Sequence, residues 1–156
     1  MIRRAQERDI DGVLKLLLQV CQVHADGRPD LFKSGGVKYT AENLKELFKD
    51  DNRPVYVYTD ESDSQVMGYI FCVYENTDET TSTYAHKTLY IDDLCVEETL
   101  RKSGIGKALY NYVEDIARKE GCYRITLHVW ECNPSAATFY NNLGMKPLYT
   151  SMETIL

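Results

Sequence analysis

Between Thr88 and Glu120 a strand-like run, a glycine turn and an amphipathic helix follow one another without a break. This unit limits the possible folds more than any other feature of the chain. Thr88 to Val96 is rich in β-branched and aromatic residues, the composition of a strand. From about Gly104 to Glu120, Ile105, Leu109, Tyr112, Val113 and Ile116 recur at the helical period, and Gly121 stops the pattern. A second strand-like run, Arg124 to Trp130, comes directly afterwards. A strand that returns to its sheet through a helix needs a crossover connection, so the helix must cover one face of a sheet.

The earlier part of the chain supplies the remaining layers. Val55–Thr59 and Val66–Tyr74 read as strands, separated by the polar turn Asp60–Ser64, and a second polar loop covers Glu75–Thr83. Ile2–Ala5 reads as a short strand. Asp9 is the expected N-cap of a helix with Ile10, Val13, Leu14, Leu17, Val20 and Cys21 on one face. A second helix is expected from Thr40, with Leu44, Leu47 and Phe48 on its apolar side. Asn133-Pro134 opens a helix that Gly144 closes, and Met145–Leu156 reads as a final strand or hairpin. The expected order is β-α-α-β-β-β-α-β-α-β, an α/β (α+β) fold with antiparallel meanders early and a crossover late. At 156 residues the chain fits one domain, 1–156, with a core that needs no disulfide or metal staple.

Composition excludes several functions. A net charge of −6 argues against a general nucleic-acid binder, which needs a basic face. The longest apolar run, Val13–Val23, is broken by Lys15, Gln19 and Gln22, so no membrane partner is expected. The first residues lack an apolar signal core, and a cytoplasmic location is expected. The five cysteines, Cys21, Cys72, Cys95, Cys122 and Cys132, include no C-x-x-C pair and sit in apolar or strand-like stretches, where thiols act as small hydrophobes. His24, His86 and His128 have no metal-ligand spacing, and no metal is expected.

The chemistry concentrates at Arg101-Lys102-Ser103-Gly104-Ile105-Gly106-Lys107, an R-x-x-G-x-G turn at the mouth of the helix. The first turn of a helix has N–H groups without partners and the positive end of the helix dipole. Glycines at 104 and 106 would let that backbone approach a bulky anion, and Arg101, Lys102 and Lys107 add positive charge, which suits a diphosphate. Other phosphate motifs fail on spacing. Ala108 follows Lys107 where a Walker loop needs Ser or Thr, and Leu109 stands where a dinucleotide fingerprint needs glycine.

Three signatures then occur in order: the N-terminal strand and Asp9-led helix, the R-x-x-G-x-G turn after a strand, and N-x-x-A-x-x-F-Y-x-x-x-G from Asn133 to Gly144. Together they resemble the GNAT superfamily of acetyl-CoA-dependent N-acetyltransferases, strongly over Thr88–Gly144 and weakly over Gly27–Ser64. The resemblance implies a mixed, mostly antiparallel twisted sheet, splayed between the strands at about 88–96 and 124–130, with pantetheine inserted in the gap. It implies that the backbones of Leu94, Cys95 and Val96 meet the pantetheine and the thioester oxygen. It further implies that Arg101, Lys102, Ser103, Gly104, Ile105, Gly106 and Lys107 hold the pyrophosphate, and that Asn133, Ala136 and Tyr140 line the arm and the sulfur.

Transfer to an amine requires removal of a proton from an ammonium with pKa near ~10.4 and donation of one to the leaving thiolate. Asp92 and Asp93 lie in an otherwise apolar strand, and strict alternation would place them on opposite faces. The stretch Tyr90-Ile91-Asp92-Asp93-Leu94 is similar to the matching strand of spermidine/spermine-type acetyltransferases, which implies Asp92 as the base; Asp93, Glu97 and a water relay stay open. Tyr140 is the implied general acid. The segment His24–Phe32 is implied as a substrate wall. Net acidity and the Asp pair favour a small cationic amine. Alternatives are acetylation of a protein N-terminus or lysine, and a non-catalytic acyl-CoA-binding module. Relatives of this kind often pair through an exposed strand, which implies a homodimer.

Overall fold

The computed structural model describes residues 1–156. Its elements are β1 (Ile2–Arg4), α1 (Ile10–Gly27), α2 (Ala41–Leu47), β2 (Val55–Thr59), β3 (Val66–Thr77), β4 (His86–Val96), α3 (Ile105–Lys119), β5 (Arg124–Leu127) and α4 (Pro134–Asn142), with 3-10 turns at Glu7–Asp9 and Glu98–Leu100. The five strands form one sheet in the order β1-β2-β3-β4-β5. The first four are antiparallel neighbours, while β5 joins β4 in parallel after the α3 crossover. The expected mixed, mostly antiparallel fold is therefore the observed one.

Each face of the sheet carries its own core. Val13, Leu16 and Leu17 of α1 pack with Leu44 and Leu47 of α2 against Val55, Val57, Tyr69, Phe71 and Cys95. On the opposite face, Ile105, Leu109, Tyr110, Val113 and Ala117 cover Ile70, Cys72, Leu89 and Ile91. The amphipathic stripes of α1 and α3 thus close the two sides of one sheet, and burial of these apolar surfaces is the main favourable term in folding.

Four local expectations change. Asp9 precedes α1, but its carboxylate does not cap it. It accepts the Gln6 N–H at 2.8 Å and a bidentate pair from Arg3 at 2.7 and 2.9 Å, so it ties the preceding 3-10 turn to β1. The strand expected over Arg124–Trp130 ends at Leu127. Met145–Leu156 forms no strand; no backbone hydrogen bond carries the segment beyond Met145 into the sheet. Finally, β4 does not alternate strictly. Phe71 pairs with Asp93 and Cys72 with Ile91, leaving Asp92 as an extra residue in a β-bulge.

Candidate active site

The site begins where β4 and β5 separate. Their pairing runs from Thr88↔Arg124 to Ile91↔Leu127 and stops there. β4 continues through Val96, so one edge of Asp92–Val96 has no strand beside it. An open strand edge presents peptide N–H and C=O groups that an amide-bearing ligand can pair with. Leu94, Cys95 and Val96 lie on this open segment. The Cys95 side chain itself turns into the core, where its thiol donates to the Leu16 carbonyl at 3.5 Å and burial pushes it up to about 12.

The N-terminus of α3 stands at the end of that edge. Gly104 precedes the helix at φ +92°, a left-handed conformation costly for other residues, and a Cβ there would meet nothing within 4 Å. Its freedom is therefore conformational and leaves the approach open. Gly106 also meets a packing constraint. A Cβ on it would come within 3.2 and 3.3 Å of the Phe139 ring, so this glycine lets α4 pack on α3. Arg101, Lys102, Ser103 and Lys107 are exposed around the turn. Lys102 and Lys107 form no ion pair, and the Arg101 Nε reaches back to the Val96 carbonyl at 3.3 Å. Ile105 is buried in the core, so only its backbone N–H faces the turn.

The bulge reshapes the acid pair. Leu89, Ile91, Leu94 and Val96 all face the α3 layer, a spacing of two, three and two. The extra residue therefore puts Asp92 and Asp93 on the same face, toward α1 and α2, rather than on opposite faces. Asp92 Oδ2 accepts from Lys38 Nζ at 2.7 Å and from the Tyr39 hydroxyl at 2.9 Å. Asp93 accepts from the buried Tyr69 hydroxyl at 2.9 Å. Burial pushes the Asp93 carboxyl up to about 6, with Tyr69 and Lys38 opposing that rise and Asp92 adding to it. Tyr39, stacked 5.5 Å from Phe71, and Tyr69 are raised mainly by burial and stay protonated donors.

Tyr140 projects from α4 and is half-buried. Burial, followed by the nearby Asp93 carboxylate and the Cys95 thiol, lifts its phenol well above the ordinary value, so it carries its proton at neutral pH. Asn133 has a local duty. Its side-chain carbonyl accepts the Ala136 N–H at 3.2 Å and the Ser135 hydroxyl at 3.1 Å, capping α4 below Tyr140. Glu97 is set apart from the acid pair. Gln19 at 2.9 Å and Lys15 at 3.0 Å engage it and hold it below the usual carboxylate range.

The segment expected as a substrate wall packs against the chain that leaves β5. Phe32 packs against His24 and edge-on against Trp130, each at 5.3 Å between rings, so the loop after α1 meets the segment leaving β5. Residues before and within this loop, including Gln22, Asp26, Asp30 and Lys33, line an open cavity of about 760 Å³. Sequence reasoning missed Lys38, Tyr39, Tyr69 and Trp130 as parts of the site. Their roles depend on contacts with residues far away in the chain, and only the parity break Leu89-Ile91-Leu94-Val96 was a readable sign of the bulge.

The chain has no cluster of three or more His, Cys, Asp or Glu able to hold a metal ion, and none of its helices is long and apolar enough to cross a membrane. A family model described as the acetyltransferase (GNAT) family matches residues 17–145. Thialysine N-epsilon-acetyltransferase of Sus scrofa is 31% identical over 67 residues, 43% of this chain and 39% of that protein. Glucosamine 6-phosphate N-acetyltransferase of Trypanosoma brucei brucei is 33% identical over 57 residues, 36% of this chain and 37% of the relative. The matched region thus spans well under half the length of these curated relatives. Among solved structures, a mutant protein from Bacillus halodurans superposes with a TM-score of 0.95 at 29% identity, covering 100% of this chain and 99% of that one. Glucosamine-6-phosphate N-acetyltransferase from Arabidopsis thaliana shares the fold at a TM-score of 0.69 and 21% identity, over 99% and 97% of the two chains.

Proposed function

Because the chain belongs to the acetyltransferase (GNAT) family, we propose that it transfers an acetyl group from acetyl-CoA to the primary amine of a small cationic acceptor. The observation that carries this reading is the open edge of β4 over Asp92–Val96 ending at the exposed N-terminus of α3. That edge offers peptide groups to the pantetheine amides, and the turn from Arg101 to Lys107 offers N–H groups and cations to the pyrophosphate. Bound acetyl-CoA supplies the activated acetyl group; the chain's own residues orient the amine and move protons.

In this reading Asp92 holds the acceptor's ammonium and Asp93 takes its proton. A carboxyl lifted to about 6 suits a base working near neutral pH better than an ordinary aspartate. The peptide N–H of Val96, which alternation turns to the open edge while that of Glu97 bonds Met67, faces the thioester oxygen as charge develops on it. Attack by the neutral amine forms the C–N bond and breaks the C–S bond; the Tyr140 hydroxyl gives its proton to the leaving thiolate, and the second proton of the attacking nitrogen, lost as the amide forms, restores the phenol. The raised phenol keeps its proton in the resting site and gives it up only as negative charge builds on sulfur, so in this reading its contribution is made in the transition state. Asn133 supports this group through the cap of α4, and Ala136 lines the adjoining wall.

The test is free-thiol release from acetyl-CoA against polyamines, amino acids, aminoglycosides and N-terminal peptides, with CoA binding followed by thermal shift. Turnover with small amines supports the reading. Turnover confined to peptides favours a protein acetyltransferase. CoA binding without turnover favours a non-catalytic acyl-CoA module, and no CoA binding overturns the assignment.

Two further readings accompany it. The chain is proposed to act in the cytoplasm, since all five cysteines are free thiols. It is also proposed to pair with a second copy. β5 lies at the sheet edge, the Tyr149 hydroxyl reaches His128 just past it at 3.0 Å, and Leu148, Tyr149, Met152, Ile155 and Leu156 are exposed apolar residues of the segment after α4. Light scattering of the full chain and of a variant without residues 146–156 separates a dimer built on this segment from a monomer.

A further inference from the structure

Lys38 is the chain's own alkylammonium, and it occupies the acid placed above at the acceptor amine. Its Nζ lies 2.7 Å from Asp92 Oδ2, beside the Tyr39 hydroxyl on the same oxygen. The lysine side chain is 41% exposed and Asp92 19%, so the pair is partly open to solvent. Lys38 belongs to the stretch between α1 and α2, outside any helix or strand. No helix or strand ladder therefore holds its backbone at this contact, which is made by an ammonium at the end of a four-carbon arm, the same group a free alkylammonium offers.

We propose that Lys38 is a resident competitor: an acceptor must displace its ammonium from Asp92 to bind, so Lys38 sets the affinity threshold for an alkylammonium acceptor. This inference rests on the reading of Asp92 as the acceptor's anchor. A half-exposed ion pair is weak enough to be exchanged and strong enough to matter, because a substrate ammonium replaces the contact with an equivalent one. The release also changes the second acid. Lys38 holds the Asp93 carboxyl down, and a bound ammonium takes over that influence when the lysine leaves. Neutral acceptors do not compensate for the lost pair.

The experiment is calorimetric titration of 1,4-diaminobutane into the wild-type chain, Lys38→Met, Lys38→Arg and Lys119→Met, each without acetyl-CoA. Lys119 is an exposed lysine at the far end of α3 with no ion pair, so its replacement measures the general effect of removing one positive charge. The expected result is binding about three- to fivefold tighter in Lys38→Met, the range corresponding to a weak ion pair. Lys38→Arg and Lys119→Met should stay near the wild type. Equal or weaker binding in Lys38→Met overturns the proposal, as does an equal gain in Lys119→Met. Absence of diamine binding in every variant, with CoA binding intact, also overturns it while leaving the acetyl-CoA reading in place. Loss of CoA binding in the wild type would instead count against that broader reading.

Discussion

Replacing Asp93 with asparagine should remove a pH-dependent cost from the native state. The carboxyl is lifted from its ordinary value of 3.8 to about 6, chiefly by burial. Below 3.8 it is protonated in both the folded and the unfolded chain, and no cost arises. As pH rises, the unfolded chain loses this proton first, so the native state becomes progressively less favoured until the folded group has also ionised above about 6. At ~1.4 kcal/mol per pH unit the full cost is ~3 kcal/mol, of which ~2 kcal/mol falls between about pH 4.5 and about pH 8. Asparagine keeps an acceptor for the Tyr69 hydroxyl and carries no charge. It also changes packing and backbone contacts, but those changes are the same at both pH values and cancel in the comparison. Urea unfolding of both proteins at the two pH values should therefore show wild type losing ~2 kcal/mol relative to Asp93→Asn on going to the higher pH, with m unchanged. A stability difference that is constant within ~0.5 kcal/mol would refute the placement of a raised, buried carboxyl at this position.

Other consequences are open to direct measurement. Tyr140→Phe should lower kcat by roughly 10²-fold with little change in CoA affinity; a loss below about threefold would remove Tyr140 from proton donation. The rise of kcat/KM with pH should have its midpoint near 6, following Asp93, and should lose that limb in Asp93→Asn. Gly104→Ala, forced to adopt φ +92°, should cost ~1–2 kcal/mol and weaken CoA binding as the helix mouth shifts, read by thermal melting with and without CoA. Leu109→Ala, wholly buried between α3 and the sheet, should cost ~2–5 kcal/mol in chemical denaturation.

Much of the fold was legible because its signals are local. The boundaries of β2 and the start of α4 followed from residue type and capping, as Asn133-Pro134 illustrates. The stripe on α3 likewise named Ile105, Leu109 and Val113 before any contact was known. Errors appeared where a partner strand decides the outcome. Val129 and Trp130 suit a strand, but β4 has turned away by then, and nothing remains for them to pair with. Met145–Leu156 forms no strand although the outer edge of β5 is free, and most of its apolar residues stay exposed.

The candidate site divides along similar lines. The left-handed Gly104 and the exposed cations around it belong to a few consecutive residues, so sequence alone determined this cationic glycine turn and the helix behind it. It also determined the two cores, since periodicity assigns apolar side chains to faces before those faces meet. Tertiary structure decided which way the acids point. A bulge is a property of two paired strands, and the one opposite Phe71 and Cys72 turns Asp92 toward Lys38 and Tyr39 while leaving Asp93 on buried Tyr69. Neighbouring aspartates thereby acquire different partners and different proton affinities, because burial and hydrogen bonding are set by residues distant in the chain.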